Sequence, residues 1–133
     1  MTLVTAAPVA GAAAYPAGAT PTSAASGNVA NASAVATLAA VAGKTTYITA
    51  FQITGGGATA ASLVSATLAG LLGGTATYTY GVVAGAALKN PDIIVTFDLP
   101  LPASAVNTAI VLTLPALGVG NTNAAVAAQG FQL

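Results

Sequence analysis

Arginine, glutamate, histidine, cysteine and tryptophan are absent from this 133-residue chain. Its formal charges are four, Lys44, Lys89, Asp92 and Asp98, and they cancel. Soluble domains are ordinarily about a quarter charged, so a charged fraction of 3% is extreme. Each absence removes a chemistry. Without His, Glu or Cys the chain lacks the usual general bases, a thiol nucleophile, and imidazole or thiolate metal ligands. Without Arg it lacks a bidentate fork for phosphate. Zero net charge removes the long-range field that steers proteins to nucleic acid or anionic lipid. Neither is expected as a partner, and no cofactor, metal or catalytic residue is expected. The missing cysteines exclude disulfide staples and leave the compartment open.

Long apolar runs are lacking as well. The hydrophobic fraction is 56%, but 35 of those residues are Ala. The larger apolar side chains number 39, and six of them precede residue 34, leaving 33 for the remainder. That supports one compact core and not two. A membrane-spanning helix needs about 20 consecutive apolar residues, and every such window here is broken by Gly, Pro, Thr, Ser or Asn. The first basic residue is Lys44, so neither a signal peptide nor a spanning helix is expected. A membrane β-barrel needs aromatic girdles, for which seven aromatics are too few.

Residues 1–33 differ from the rest. They are almost entirely Ala, Gly, Pro, Ser and Thr, with Pro8, Pro16 and Pro21 spaced through them. Alone, such a segment has too little apolar surface to offset its ordering entropy. Extended, it reaches up to about 100 Å, against a radius of roughly 14 Å for the body. The composition therefore predicts an extended arm over 1–33 and a body over 34–133. The arm is expected to dock on a neighbouring chain, with its own body as the alternative surface.

From about residue 34 the pattern has period two. Residues 45–54 place Tyr47, Phe51 and Ile53 on one face and Thr46, Gln52 and Thr54 on the other. Residues 75–83 set Ala76, Tyr78, Tyr80 and Val82 opposite Thr75, Thr77 and Thr79. Residues 93–99 set Ile93, Val95, Phe97 and Leu99 opposite Thr96 and Asp98. Further strands are predicted over 35–41, 59–69, 108–114 and 123–132. The Ala-rich stretch near residue 35 has helical propensity, but it is short and interrupted by Thr37, so a strand is expected there too. Gly and Pro clusters at 42–44, 55–57, 70–74, 90–92, 100–102 and 118–121 punctuate these runs. Short alternating strands so spaced predict an all-β protein, an antiparallel β-sandwich or jelly roll with an extended N-terminal arm.

The candidate sites are sparse. Asp92 and Asp98 are the only carboxylate side chains, and six residues of strand at about 3.3 Å each separate them too far for shared chemistry. Lys89 and Asp92 flank Asn90-Pro91 and are expected to pair across a turn. Asp98, before Leu99-Pro100, reads as a strand-end or turn partner. Ser23, Ser26, Ser33, Ser62, Ser65 and Ser104 have no imidazole to activate them. No S-x-x-K spacing supports a dyad with Lys44 or Lys89. Gly55-Gly56-Gly57 lacks the Lys-Ser/Thr of a phosphate loop and reads as a hairpin or loop. Asn31-Ala32-Ser33 matches a glycosylation sequon without a secretory signal to give it weight. Thr75, Thr77 and Thr79 suggest an ice-binding array, but one that ends after a single strand. No enzyme is expected.

The outer faces of such a sandwich carry Thr, Ala, Ser and Asn in place of Lys and Glu. Charged residues are the usual defence of sheets against association. The expectation is therefore a homo-oligomer, a trimer in preference to a dimer, with its outer faces covered in a permanent assembly.

Two stretches carry a resemblance. Residues 42–63 read A-G-K-T-T-Y-I-T-A-F-Q-I-T-G-G-G-A-T-A-A-S-L, and residues 94–131 include P-L-P-A-S-A-V-N-T-A-I-V-L-T-L-P-A-L-G-V-G-N-T-N. Together they resemble small Ala/Thr/Gly-rich virion proteins of tailed bacteriophages. The matching residues belong to turns and strands, exclude the arm, and carry no active site. Relatives of that group are expected to hold His before the terminal Gly-Phe. Gln129 stands there, which removes any pH-sensitive reading of the position. The resemblance implies a structural component of the phage particle, on the outer surface of the head. The first expectation is a capsid decoration (cement) protein bound to the major capsid protein, its arm crossing neighbouring subunits. The alternatives are a head or tail fibre or receptor-binding knob, and a tail-tube subunit.

Overall fold

The computed structural model describes residues 15–133. Eight strands follow in chain order: β1 (Thr20–Ala25), β2 (Ala34–Leu38), β3 (Thr46–Gly56), β4 (Ser62–Ala69), β5 (Ala76–Val82), β6 (Ile93–Pro102), β7 (Ile110–Leu114) and β8 (Asn123–Gln132). No helix occurs among the described residues, so none there is long and apolar enough to cross a membrane. The strands form two antiparallel four-stranded sheets, in the orders β1-β8-β3-β6 and β2-β7-β4-β5. One hydrophobic core lies between them. The pairing is nested: first strand with eighth, second with seventh, third with sixth, fourth with fifth. Every connection except the β4–β5 hairpin crosses from one sheet to the other. The protein is an all-β, antiparallel β-sandwich, as the alternation predicts.

Side-chain size varies across the sandwich. β2 and β8 pack on each other across the core and present Ala34, Ala36, Ala124 and Ala128 to it, all buried. Toward the other edge the filling is aromatic. Phe51 on β3 meets Tyr78 on β5 edge-on at 5.0 Å and Phe97 on β6 at 6.0 Å. Thus the alanines are not only surface; on β2 and β8 they are the core side chains. Gly70 closes β4 with φ at 89°, where a Cβ would collide with the Ala109 carbonyl oxygen.

The expected boundary at residue 33 does not hold. Thr20–Ala25 pairs residue by residue with Ala127–Gln132 of the same chain. Main-chain bonds from Ser26 to Val126, Val29 to Ala124 and Asn31 to Asn121 carry the contact further. Backbone ladders do not require large side chains, so a stretch read as too polar to order alone is ordered by the free edge of β8. It lies on its own body, the alternative surface of the two expected. Residues 1–14 of the expected arm lie outside the described residues.

A second correction concerns phase. The β3 register shifts between Ile48 and Ala50, in its pairing with both β6 and β8. This bulge at Thr49 reverses the alternation. Thr46 and Ile48 point inward before it, Phe51 and Ile53 after it. Tyr47, expected on the core face, therefore lies on the outside, stacked on Phe131 at 4.8 Å. The partner strand shows the same disturbance. Thr96 pairs with Ala50 and Leu101 with Ile48, so residues 97–100 bow out opposite Thr49. Leu99, expected inside, is 81% exposed, and Leu101 packs against the core in its place.

Candidate interaction surface

Lys89 and Asp92 form the expected local ion pair. Asp98 lies apart from it in the second half of β6. No hydrogen bond joins a serine to a lysine among the described residues: Lys44 Nζ donates to Thr20 Oγ1 at 3.1 Å, and Ser26 Oγ accepts from the Val126 amide. Gly55 and Gly56 belong to β3 and pair with the Lys89 stretch, so the triple glycine is a strand end and not a phosphate cradle. Asn31 takes a left-handed turn conformation at φ 53°. Among the described residues no three His, Cys, Asp or Glu side chains gather into a metal site.

The outer face of β2-β7-β4-β5 carries no charge. Thr113, Thr67 and Thr77 stand side by side on β7, β4 and β5, with Val35 of β2 beside Thr113. In the next rows Ser65 adjoins Thr79, and Thr37 adjoins Val111. The threonine array expected on one strand therefore spreads over three. Leu63, 76% exposed, ends the face. Short hydroxyl and methyl side chains lose little rotamer entropy when covered, which suits a surface meant for close contact.

The outer face of β1-β8-β3-β6 is also sparse in charge, with Asp98 alone on its strands. At its centre Gln52 and Gln129 exchange two amide hydrogen bonds, at 3.0 and 3.1 Å. The pair consumes polar groups that would otherwise need water or a partner. It also gives Gln129 a structural task that an isolated reading of the position missed. At one end Tyr15 rests edge-on against Phe131 at 6.0 Å, above the Tyr47 stack. Phe131 is thereby buried on the outside of its sheet. Beside this cluster the bulged segments open a cleft of about 570 Å³, with Tyr15, Thr49, Phe97 and Asp98 on its walls.

At the opposite end, loops close over Tyr80, Asn90 and Asn121, all buried. Asn90 Oδ1 accepts from the Val83 amide at 2.9 Å. The Tyr80 hydroxyl and the Asn90 amide nitrogen make no hydrogen bond of ordinary geometry. Burial pushes the Tyr80 phenol above its ordinary value of 10.0; the neighbouring Asn90 amide offsets part of this, and the Asp92 charge adds to it. The unfolded chain ionises this tyrosine first. The stability linked to it is therefore complete below about pH 10 and is lost as pH rises toward the folded value. Urea midpoints are expected to fall more steeply above pH 10 for the wild type than for Tyr80→Phe. Equal slopes would remove the linkage.

Comparison with protein-family models, curated proteins and solved structures gave no match. The reading of this surface therefore rests on its own geometry.

Proposed function

We propose that the protein is a structural component of a bacteriophage virion, a decoration protein on the outer surface of the head that binds the major capsid protein. One observation carries this reading: a two-sheet sandwich whose eight strands bear a single charged side chain, Asp98. Outer faces of Thr, Ala, Ser and Gln with exposed Leu63 and Ile94 lack the usual charged barrier to association. They fit permanent burial between subunits, with the protein itself a homo-oligomer. The nested pairing of strands, which we read as a jelly roll, agrees with this, since that architecture recurs in viral capsid domains. The agreement is one of fold class and carries less weight than the surface. In this reading residues 20–25 belong to the body, since β1 pairs with β8 of the same chain.

Protein quantification of purified particles tests the proposal. A decoration protein is expected at a copy number comparable with that of the capsid subunit, with antibody label spread over the head. A few copies at a fibre tip would replace this reading with a receptor-binding knob. Label along the tail would replace it with a tube subunit.

A further inference from the structure

We propose that the cleft beside the β3–β6 bulge is a docking pocket for a basic side chain, arginine in preference to lysine, on a partner protein. This inference is independent of the virion reading. Its first support is the chain's small charge inventory. Of the four charged side chains, Lys89 and Asp92 neutralise each other, and Lys44 is engaged with Thr20. Asp98 has no ion-pair or hydrogen-bond partner among the described residues. Residues 1–14 contain no Lys or Arg, and Lys44, the lysine without a carboxylate partner, donates to the Thr20 hydroxyl instead. Among the described residues Asp98 thus stands as a carboxylate without a cationic partner, open to one from another molecule.

The second support is shape. Residues 97–100 bow out opposite Thr49, and the bulge places Asp98 on a cleft wall with Tyr15, Pro16, Thr49, Phe97 and Pro100. Bulges are common where a side chain is re-aimed for binding. The volume of about 570 Å³ lies within the range of ligand pockets. Tyr15 is 52% exposed, leaving ring surface for a cation, and a guanidinium is flat enough to lie on a ring while bonding a carboxylate. Thr49 Oγ1 donates to the Gln129 carbonyl at 3.1 Å, which ties the cleft floor to the central strand pair.

Amide chemical shifts of the 15N-labelled full-length chain, titrated with N-acetyl-arginine amide, test the proposal. The uncharged isostere N-acetyl-citrulline amide and N-acetylglucosamine serve as comparison probes. The arginine probe is expected to shift Thr49, Thr96, Phe97 and Asp98 saturably, the citrulline probe about fivefold more weakly or not at all. Asp98→Asn is expected to abolish that difference, and Tyr15→Ala to weaken binding of the arginine probe. The citrulline comparison needs no variant, so it stands even if a substitution disturbs folding. Absence of saturable shifts, equal binding of arginine and citrulline, or preferential binding of the sugar would overturn the proposal; the last would mark a glycan site.

Discussion

Gly130→Ala is expected to lower stability by about 3 kcal/mol or more, a large share of what a domain of this size possesses. Gly130 lies on β8 opposite Ile48 of β3, beside the bulge. A Cβ there would overlap the Tyr47 carbonyl oxygen and stand 2.9 Å from its carbon. Both are backbone atoms of the neighbouring strand, so no side-chain rotation relieves the contact. The β3–β8 ladder at the centre of its sheet must open, and the stack of Phe131 on Tyr47 must shift with it. Gly81→Ala is the comparison. It lies in β5 with nothing near its missing Cβ, and replacing a strand glycine at an open site is expected to be neutral or stabilising by roughly 0.5 kcal/mol. Thermal unfolding followed by circular dichroism should separate the two by about 10 °C or more. Coincident transitions would show that the strands have room that the backbone geometry denies.

Asn121→Ala is expected to cost about 2–4 kcal/mol. The side chain of Asn121 is fully buried between β7 and β8. Its side-chain amide donates to the Gly56 carbonyl at 3.1 Å and the Asn123 carbonyl at 2.8 Å, while its main-chain carbonyl accepts from the Asn31 amide and its side-chain oxygen is left without a partner. One residue thus ties the end of β3, the start of β8 and the stretch after β1. Alanine removes the donor to both carbonyls, and that of Gly56 is buried. Asn121→Asp is expected to be worse near neutral pH, because an ionised carboxylate faces two acceptors and has no proton to give. Those acceptors raise the carboxyl pKa in the folded state, so the aspartate variant should regain stability as pH falls and one oxygen becomes a donor. Urea unfolding of both variants at neutral and acidic pH checks this. An aspartate variant as stable as wild type at neutral pH would show that the amide donors are dispensable.

Seven of the eight strands were legible from the alternation of apolar and small polar residues, because each must bury one face. β5 is the clearest case: Tyr80 and Val82 are inside and Thr77 and Thr79 outside, as the spacing predicts. β1 was not legible. Thr20–Ala25 has no large apolar residue to reveal a buried face, and its order comes from main-chain bonding to β8. The reversal at Thr49 was equally hidden, since a bulge is a relation between strands and leaves no mark on one strand's composition. Its consequences include the outward Tyr47, the exposed Leu99 and the cleft around Asp98.

The surface divides in a similar way. Composition alone showed which residue types are missing and pointed to faces without charge. It did not reveal that threonines on three strands stand in register, or that Gln52 and Gln129, 77 residues apart in sequence, satisfy each other. Those facts depend on which strands lie side by side.

The missing charges, the alternation and the turn residues by themselves determined an all-β chain with one core and an almost neutral surface. These are local properties, set by what each residue does with water and backbone geometry. Only the tertiary structure decided that the early polar stretch is an edge strand, where the bulge falls, and that Asp98 stands in a cleft beside Tyr15. Each of these depends on pairing between segments far apart in sequence, and the free energy of such pairing belongs to both partners at once.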